Sequence, residues 1–404
     1  MSDSLGDWGG AEFVLAADRL DTPDVVEAAD PGDMLRQIAS AAAAVRTALR
    51  SCQETDLSAF TPDARPRAII VAGLGGSGLA GEMLGGITGP GSPLQVVTAQ
   101  AERLPGWVGA ADAVIAVSGS GTTAETLTVA AEAARRGCRL VGVGPEDSAL
   151  HRTVEQARAP FIPVAAAGLP RSRLWGLAIP LLVIAERLGV ARLGADVYEQ
   201  AASRLEEVSH QCRPASESFV NPGKSLALDL VGTLPVVWGT SALSGVAARR
   251  FAAQLGDNAK YPAIVGVLPE AAHNQIAAFD GPFAPTARPA PGPAEAENLS
   301  GLPDLSSWEL DYEDTRPGFT PLRLVLIVDP GQDQRVAAQQ RAVTELAGQR
   351  GIGLSELAMD GEHPLVRLAG VVQLADYASV YLAIASGIDP SQAAAVSDLQ
   401  ARIE

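Results

Sequence analysis

Ala68-Ile-Ile-Val-Ala-Gly-Leu-Gly-Gly-Ser-Gly78 and Ala113-Val-Ile-Ala-Val-Ser-Gly-Ser-Gly-Thr-Thr123 are two apolar runs that each end in a turn of glycines and hydroxyls. Each run predicts a buried parallel strand, followed by a turn and a helix. Open α/β sheets bind ligands at the carboxyl ends of their strands, where backbone N–H groups and hydroxyls gather. The two turns therefore predict an α/β fold with a site for a small phosphorylated molecule.

The second turn favours a phosphomonoester over a dinucleotide. Four hydroxyls fall within six residues at the start of its helix: Ser118, Ser120, Thr122 and Thr123. A phosphate cradle can use all four, whereas helix capping, the alternative, accounts for one. The first turn also fits G-x-G-x-x-G through Gly73, Gly75 and Gly78, the pattern of a dinucleotide-dependent oxidoreductase. Such a site does not require the hydroxyl-rich turn, so we consider it the weaker interpretation.

Strands and helices alternate along the rest of the chain in two groups. This alternation predicts an α/β protein of two doubly wound, flavodoxin-like lobes with parallel sheets flanked by helices. Residues 1–50 are expected to form an N-terminal lead-in with a helix over Pro31 to Arg50. The first lobe is expected over 51–210, with a long apolar helix over Arg171 to Leu188. The second is expected over 211–404, with a Pro- and Gly-rich insertion at 281–307.

Composition excludes several classes of protein. The formal net charge of −17 argues against nucleic acid or an anionic membrane as a partner, because both require a basic surface. No apolar run reaches the length of about 18 residues that a membrane span needs, and no secretory signal is visible. Three widely spaced cysteines indicate reduced thiols in a cytoplasmic protein. No two His or Cys have the spacing of zinc ligands, so no metal is expected.

Two further residues are candidates for chemistry. A helix that begins at Pro269 would place Glu270, His273 and Asn274 on one face, where an acid beside the imidazole can hold it in one tautomer for proton transfer. The alternative is a surface ion pair beside a helix start. Arg171 follows Leu-Pro at the predicted start of an apolar helix, and a cation there opposes the helix dipole. This position suggests a bound anion, unless the side chain only reaches solvent.

These segments resemble the sugar isomerase (SIS) domain family, and within it the bifunctional phosphoglucose/phosphomannose isomerases. The family's Gly-Gly-Ser and Ser-Tyr-Ser-Gly-Asn-Thr-Glu-Glu patterns stand here as Gly75-Gly-Ser77 and Ser118-Gly-Ser-Gly-Thr-Thr-Ala-Glu125. Four more segments match in order, namely Leu169-Pro-Arg171, Asp257-Asn-Ala-Lys260, Glu270-Ala-Ala-His-Asn274 and Asp376-Tyr-Ala-Ser-Val-Tyr-Leu382 with Asp389-Pro390. The resemblance runs from about Ala68 to the C-terminal end.

The resemblance implies aldose–ketose interconversion of hexose 6-phosphates through a cis-enediol, in a homodimer without cofactor or metal. Asp257 would be the base, His273 would help to open the sugar ring and Arg171 would steady the enediolate. The histidine of such a dimer can come from the neighbouring subunit. The implied substrate-binding residues are Gly76, Ser77, Ser118, Ser120, Thr122, Thr123, Glu270 and Gln400.

Two departures from the family pattern leave a second function open. Asp257 stands where the family has a glutamate, and Gln400 stands where the family has a lysine near the C-terminus. The aspartate keeps the carboxylate on a side chain that is shorter by one methylene, and a misplacement of about 1 Å can cost about 100-fold in rate. The alternative is therefore a catalytically weakened SIS protein that binds a sugar phosphate and regulates a partner enzyme.

Overall fold

The computed structural model describes residues 8–285 and 320–403. Its N-terminal segment contains helices α1 (Trp8–Asp21), α2 (Pro23–Ala29), α3 (Met34–Ala39) and α4 (Ala41–Glu54). The prediction of a single helix over Pro31 to Arg50 is wrong. The helix is interrupted at Ser40, whose hydroxyl donates to the Gln37 carbonyl at 2.6 Å. The first of the two helices begins only at Met34, where the Asp30 carboxylate accepts the Met34 and Leu35 N–H groups at 2.8 and 2.9 Å.

The first sheet contains five parallel strands, namely β1 (Ala68–Ala72), β2 (Gln95–Ala99), β3 (Ala113–Val117), β4 (Arg139–Gly144) and β5 (Phe161–Pro163). Helices α5 (Gly76–Thr88), α6 (Ala124–Arg135) and α7 (Ala149–Gln156) connect them. The strand order β2-β1-β3-β4-β5 is the flavodoxin order, whose switch point lies between β1 and β3. Both hydroxyl-rich turns therefore lie at the place where this topology binds ligands.

The second sheet repeats this order with four parallel strands. The elements that follow the first sheet are α8 (Leu174–Arg187), α9 (Gly194–Gln211), α10 (Pro222–Leu230), β6 (Leu234–Gly239), α11 (Ala242–Gln254), β7 (Ile264–Val267), α12 (Ala271–Asn274), β8 (Leu322–Val328), α13 (Gln334–Gln349), β9 (Gly353–Ala358), α14 (Pro364–Ala385) and α15 (Ala394–Ile403). The order β7-β6-β8-β9 confirms the predicted pair of doubly wound lobes. Residues 286–307 of the predicted insertion lie outside the described residues.

One continuous apolar core joins the two sheets. Alternate residues of β1 face in opposite directions, so that Ile69 and Val71 enter the central core while Ile70 packs on the outer face of the first sheet. Val237 and Val325 of the second sheet belong to the same central core. Helices α8, α11 and α14 fill the space between the sheets. Because the lobes share this core, the division of the chain at residues 50 and 210 stays a proposal.

Helix α14 is long and apolar enough to cross a membrane by length and composition, with a mean hydropathy of 1.5. However, 94% of its most apolar window is buried inside the protein. Its surface is covered by α9, α10 and α11, which pack against it. We therefore interpret α14 as the central helix of the core.

Candidate active site

The hydroxyls of the turn after β3 converge on one another. Ser118 Oγ lies 3.0 Å from Thr123 Oγ1, and Ser120 Oγ lies 3.4 Å from both of them. Thr122 Oγ1 donates to Ser120 Oγ at 3.2 Å. Thr123 is the N-cap residue of α6, yet its side chain makes no capping hydrogen bond. Ser118 Oγ and Ser120 Oγ accept the N–H groups of Gly121 and Thr122 at 2.9 and 3.2 Å, so they also stabilise the turn. N-capping by Thr123 does not explain the cluster, which lies at the positive end of α6.

The first turn is joined to this hydroxyl cluster by Ser77. The Ser77 side chain is buried, and its Oγ accepts the Gly119 N–H at 3.2 Å. The close packing of the turn also explains its glycines, since a Cβ on Gly78 would lie 2.6 Å from Gln100 Nε2 and 2.8 Å from the Gly73 carbonyl oxygen. The G-x-G-x-x-G match is thus accounted for by helix–strand packing and does not require a dinucleotide.

Arg171 approaches the same end of the sheet from a separate short turn. It lies in a 3₁₀ turn over Pro170–Ser172, whereas α8 begins at Leu174, so the prediction that Arg171 starts the long apolar helix is wrong. Its guanidinium donates to the carbonyls of Pro390 and Ser391, both at 2.7 Å. These carbonyls, rather than the dipole of α8, determine where the charge lies.

One hydrogen bond connects the end of this 3₁₀ turn with the loop of the hydroxyl cluster. Arg173 Nη1 donates to the Gly119 carbonyl at 2.7 Å, which fixes the turn against the loop that carries Ser118 and Ser120. The Pro170 carbonyl lies 4.0 Å from the position that a Cβ on Gly76 would occupy. Arg173 is a residue to which sequence reasoning assigned no role; its position two residues after Arg171 was the only signal.

Asp257 lies on a turn of π-helix, Leu255–Ala259, that extends α11. Its side chain is exposed, and it interacts electrostatically with Arg171 and Lys260. Burial lowers the pKa of the Arg171 guanidinium, while Asp257 and Asp389 act in the opposite direction. The predicted base and the predicted cation thus interact electrostatically, although the ion pairs of the described residues do not include them. Single-turn π-helices are frequent at functional sites.

Lys260 closes this π-helical turn and lines a cavity beside it. It adopts a left-handed conformation with φ 61°, and its ammonium group donates to the carbonyls of Asp257 at 2.8 Å and Asn258 at 3.1 Å. Burial and the nearby Arg171 lower the pKa of Lys260. A cavity of about 540 Å³ opens here, lined by Asp257, Lys260, Tyr261, Asp389 and Gln392 among others. The cavity is large enough for a hexose, and the Asp257 carboxylate lines it.

The structure does not pair Glu270 with His273. The helix at this segment, Ala271–Asn274, is a single turn, and the Glu270 carboxylate accepts the Asn274 side-chain amide at 2.9 Å. His273 is exposed, and among the described residues its imidazole has no hydrogen-bond partner. The Glu270 carboxylate thus binds Asn274 rather than the imidazole, and the role predicted for the pair stays a prediction. Within residues 8–285 and 320–403, no hydrogen bond or ion pair joins His273 to Arg171 or Asp257.

The C-terminal helix carries the predicted residue Gln400, and the second lobe has a hydroxyl turn of its own. Gln400 lies in α15, but its side chain is outside the described part of the structure. The turn Thr240-Ser-Ala-Leu-Ser244 after β6 is filled by the chain itself, because Ser241 Oγ donates to Asp329 at 2.7 Å and Ser241 and Ser244 form a capping box. Asp329 is 3% exposed and also pairs with Arg367. A carboxylate thus occupies the second switch point.

No group of three or more His, Cys, Asp or Glu side chains within the described ranges has the arrangement of a metal site. The three cysteines are all buried and unpaired by disulfides. Burial raises the pKa of both Cys52 and Cys212 to about 12, so their thiols stay protonated at neutral pH. They have the character of core residues rather than nucleophiles.

The sequence of the second lobe matches a family model over residues 219–403, described as the bacterial phospho-glucose isomerase C-terminal SIS domain. Residues 219–403 are thus similar to a SIS domain, as the resemblance of the motifs implied. The chain is also 25% identical to the bifunctional phosphoglucose/phosphomannose isomerase of Caldicellulosiruptor bescii, in an alignment that covers 80% of this chain and 85% of that protein. It is 27% identical to the protein of the same name from Aquifex aeolicus, covering 80% of this chain and 86% of that one.

A solved structure shares the architecture of both lobes. A solved structure of a hypothetical protein from Thermus thermophilus superposes on it with a TM-score of 0.63. That match covers 97% of this chain and 94% of the other at 15% identity, which shows a shared fold. The sequence matches confirm the predicted resemblance to the SIS domain family, and the two parallel sheets confirm the predicted fold class.

Proposed function

We propose that this SIS protein is a sugar-phosphate isomerase that interconverts aldose and ketose hexose 6-phosphates. The observation that carries the proposal is the hydroxyl cluster at the β1/β3 switch point, to whose loop Arg173 joins the segment of Arg171. The named function of its relatives points the same way and favours the isomerase over the regulatory alternative. We further propose a cytoplasmic homodimer as the active form.

The phosphate group is held by the two turns. Ser77, Ser118, Ser120 and Thr123 offer hydroxyls, while the uncapped amino ends of α5 and α6 direct N–H groups toward the anion. These local donors are needed because the overall charge of −17 repels a dianion. Gly76 leaves room between the first turn and the Pro170 carbonyl. Thr122, Glu270 and Gln400 are proposed as additional substrate contacts.

Proton transfer is assigned to Asp257. Its carboxylate takes the proton from C2 of the open-chain aldose while the C1 carbonyl becomes an enediolate, and it returns that proton to C1. A second proton moves from the C2 hydroxyl to the oxygen on C1, which completes the ketose. The adjacent carbonyl acidifies the C–H bond, so this chemistry is general acid–base catalysis by one carboxylate.

Arg171 is assigned to the developing negative charge. Its Nε atom is buried and has no hydrogen-bond partner, although the other end of the guanidinium is bonded to two carbonyls. A buried cationic donor without a partner is costly, and an enediolate oxygen would satisfy it. Ring opening is assigned to His273 of the partner subunit, as the resemblance implies for a homodimer. Within one chain, the described residues include no hydrogen bond or ion pair between His273 and Arg171 or Asp257.

Exchange of the C2 proton of glucose 6-phosphate with solvent deuterium tests this function directly. Exchange reports enediol formation even when net conversion is slow. We expect slow exchange in the wild type and none in Asp257→Asn, whereas Asp257→Glu is expected to be faster because the longer side chain restores the reach of the family's glutamate. Glu82→Gln, which alters an ion pair with Arg249 away from Asp257, serves as the control. Exchange that survives Asp257→Asn would contradict the assignment of the base.

A further inference from the structure

A buried ion pair lies behind the candidate active site. Arg250 of α11 and Asp376 of α14 are 2% and 4% exposed, and they form two hydrogen bonds, Nε to Oδ1 at 2.8 Å and Nη2 to Oδ2 at 2.7 Å. Removing two charges from water costs several kcal/mol for each ion, and apolar residues of similar volume often stabilise a core equally well. Stability alone is therefore a weak explanation for this pair.

The same guanidinium also holds the main chain of Arg171. Arg250 Nη2 donates to the Arg171 carbonyl oxygen at 2.7 Å. Arg171 lies on a 3₁₀ turn of three residues, which has few hydrogen bonds of its own. The position of the Arg171 backbone, and with it the origin of its side chain, thus depends on where Asp376 holds Arg250.

One turn further along α14, a second contact reaches the segment of the proposed base. Ser379 Oγ accepts the Asn258 side-chain amide at 2.9 Å and donates to the Asp376 carbonyl at 2.7 Å. Asn258 is buried and directly follows Asp257 in the π-helical turn. A single turn of α14 therefore contacts both segments that carry the proposed catalytic groups.

We propose that Arg250 and Asp376 are positioning residues that set Arg171 relative to Asp257 for enediolate formation. This proposal rests on the proposed isomerase function. The pair does not touch the substrate in this scheme; it acts through the Arg171 carbonyl. Because a displacement of about 1 Å in a reacting group can cost about 100-fold in rate, loss of this hydrogen bond affects catalysis more than substrate binding.

The first test replaces the ion pair by apolar residues in the full-length chain, Arg250→Met with Asp376→Leu. This double variant leaves no buried charge unpaired, so it is expected to fold. We expect kcat for C2 proton exchange in glucose 6-phosphate to fall about 10- to 100-fold. KM is expected to stay within about threefold, because the phosphate is held by the turns after β1 and β3.

A second variant and a control make the outcome specific. Arg250→Lys keeps the charge, but one ammonium group cannot hold both carboxylate oxygens and the Arg171 carbonyl in the same geometry, so an intermediate loss of kcat is expected. The control is Arg67→Met with Asp112→Leu, an ion pair at the amino end of the first sheet. Its loss is expected to lower the melting temperature and leave kcat unchanged.

Wild-type kcat in a folded double variant would overturn the positioning role. The same conclusion would follow if the control, Arg67→Met with Asp112→Leu, lost as much kcat as the double variant. If the double variant does not fold, wild-type kcat in Arg250→Lys overturns the proposal instead. Absence of exchange in the unmodified protein would refute the isomerase function and the positioning role together. Exchange in the unmodified protein with an unaffected variant refutes only the positioning role.

Discussion

The double substitution Ser120→Ala with Thr123→Val tests whether the hydroxyl cluster binds phosphate or stabilises α6. Thr123 makes no capping hydrogen bond, but its hydroxyl lies 3.0 Å from Ser118 Oγ, and Ser120 Oγ accepts the Thr122 N–H at 3.2 Å. Removing both hydroxyls is therefore expected to cost about as much as the free energy of about 1 kcal/mol that an N-cap contributes. The fold is expected to remain intact.

The loss of ligand affinity is expected to be far larger. A hydrogen bond to a charged group contributes about 1.5–3 kcal/mol, so two of them contribute about 3–6 kcal/mol. This corresponds to a loss of about 10²- to 10⁴-fold in the affinity for glucose 6-phosphate. The dissociation constant is measured by isothermal titration calorimetry, and stability is measured by thermal unfolding without ligand.

Asp333→Ala is the matched control, since the Asp333 carboxylate caps α13 by accepting the Arg335 N–H at 2.7 Å. Its loss is expected to lower the free energy of unfolding by about 1 kcal/mol without any change in affinity. If the double variant instead behaved like Asp333→Ala, melting lower but binding normally, the hydroxyls would be capping groups and the phosphate site would be refuted.

Two further predictions follow from the site and from the ion pairs. His273→Ala is expected to lower kcat on the cyclic sugar much more than it raises the dissociation constant, since ring opening needs proton transfer in the transition state. Steady-state kinetics measure kcat, and calorimetry measures the dissociation constant. Equal changes in both would argue for a binding role. The Arg67 guanidinium lowers the pKa of Asp112 below its usual value of 3.8, so this carboxylate stabilises the fold above that pH, and the contribution is lost as the pH falls through the lower folded-state pKa. Urea unfolding from pH 6 to pH 2 is expected to show this loss in the wild type and a weaker pH dependence in Asp112→Asn; identical pH dependences would contradict it.

Much of the fold could be predicted because its signals are local. The β1 and β3 runs are apolar throughout and each precedes a glycine turn, a pattern that directly predicts a buried parallel strand. Strands β7 and β9 were missed, since β7 has only four residues and β9 mixes exposed polar residues with apolar ones. Helices α1, α2 and α10 were missed as well, because their stability depends on packing against α14 and on one another more than on their own periodicity.

In the candidate site, too, local motifs could be predicted and long-range contacts could not. The phosphate turns and the neighbourhood of Arg171 and Asp257 followed from motifs, although their roles in binding and catalysis stay predictions. The hydrogen-bond partners of Glu270 and Arg171 could not be predicted from motifs. Glu270 bonds to Asn274 rather than His273, two neighbours available on the same short turn, and Arg171 bonds to carbonyls more than 200 residues away in sequence.

The sequence by itself determined the class of fold, because apolar periodicity and turn chemistry act over a few residues and repeat in both lobes. The ligand site at the two turns is a prediction from the same motifs. Only the tertiary structure decided that a carboxylate fills the second switch point and which ion pair lies behind the proposed site. Asp329 fills the second switch point from another strand, and Asp376 reaches Arg250 across 126 residues. Such pairings depend on how helices and strands pack in space, and residue spacing along the chain carries no information about them.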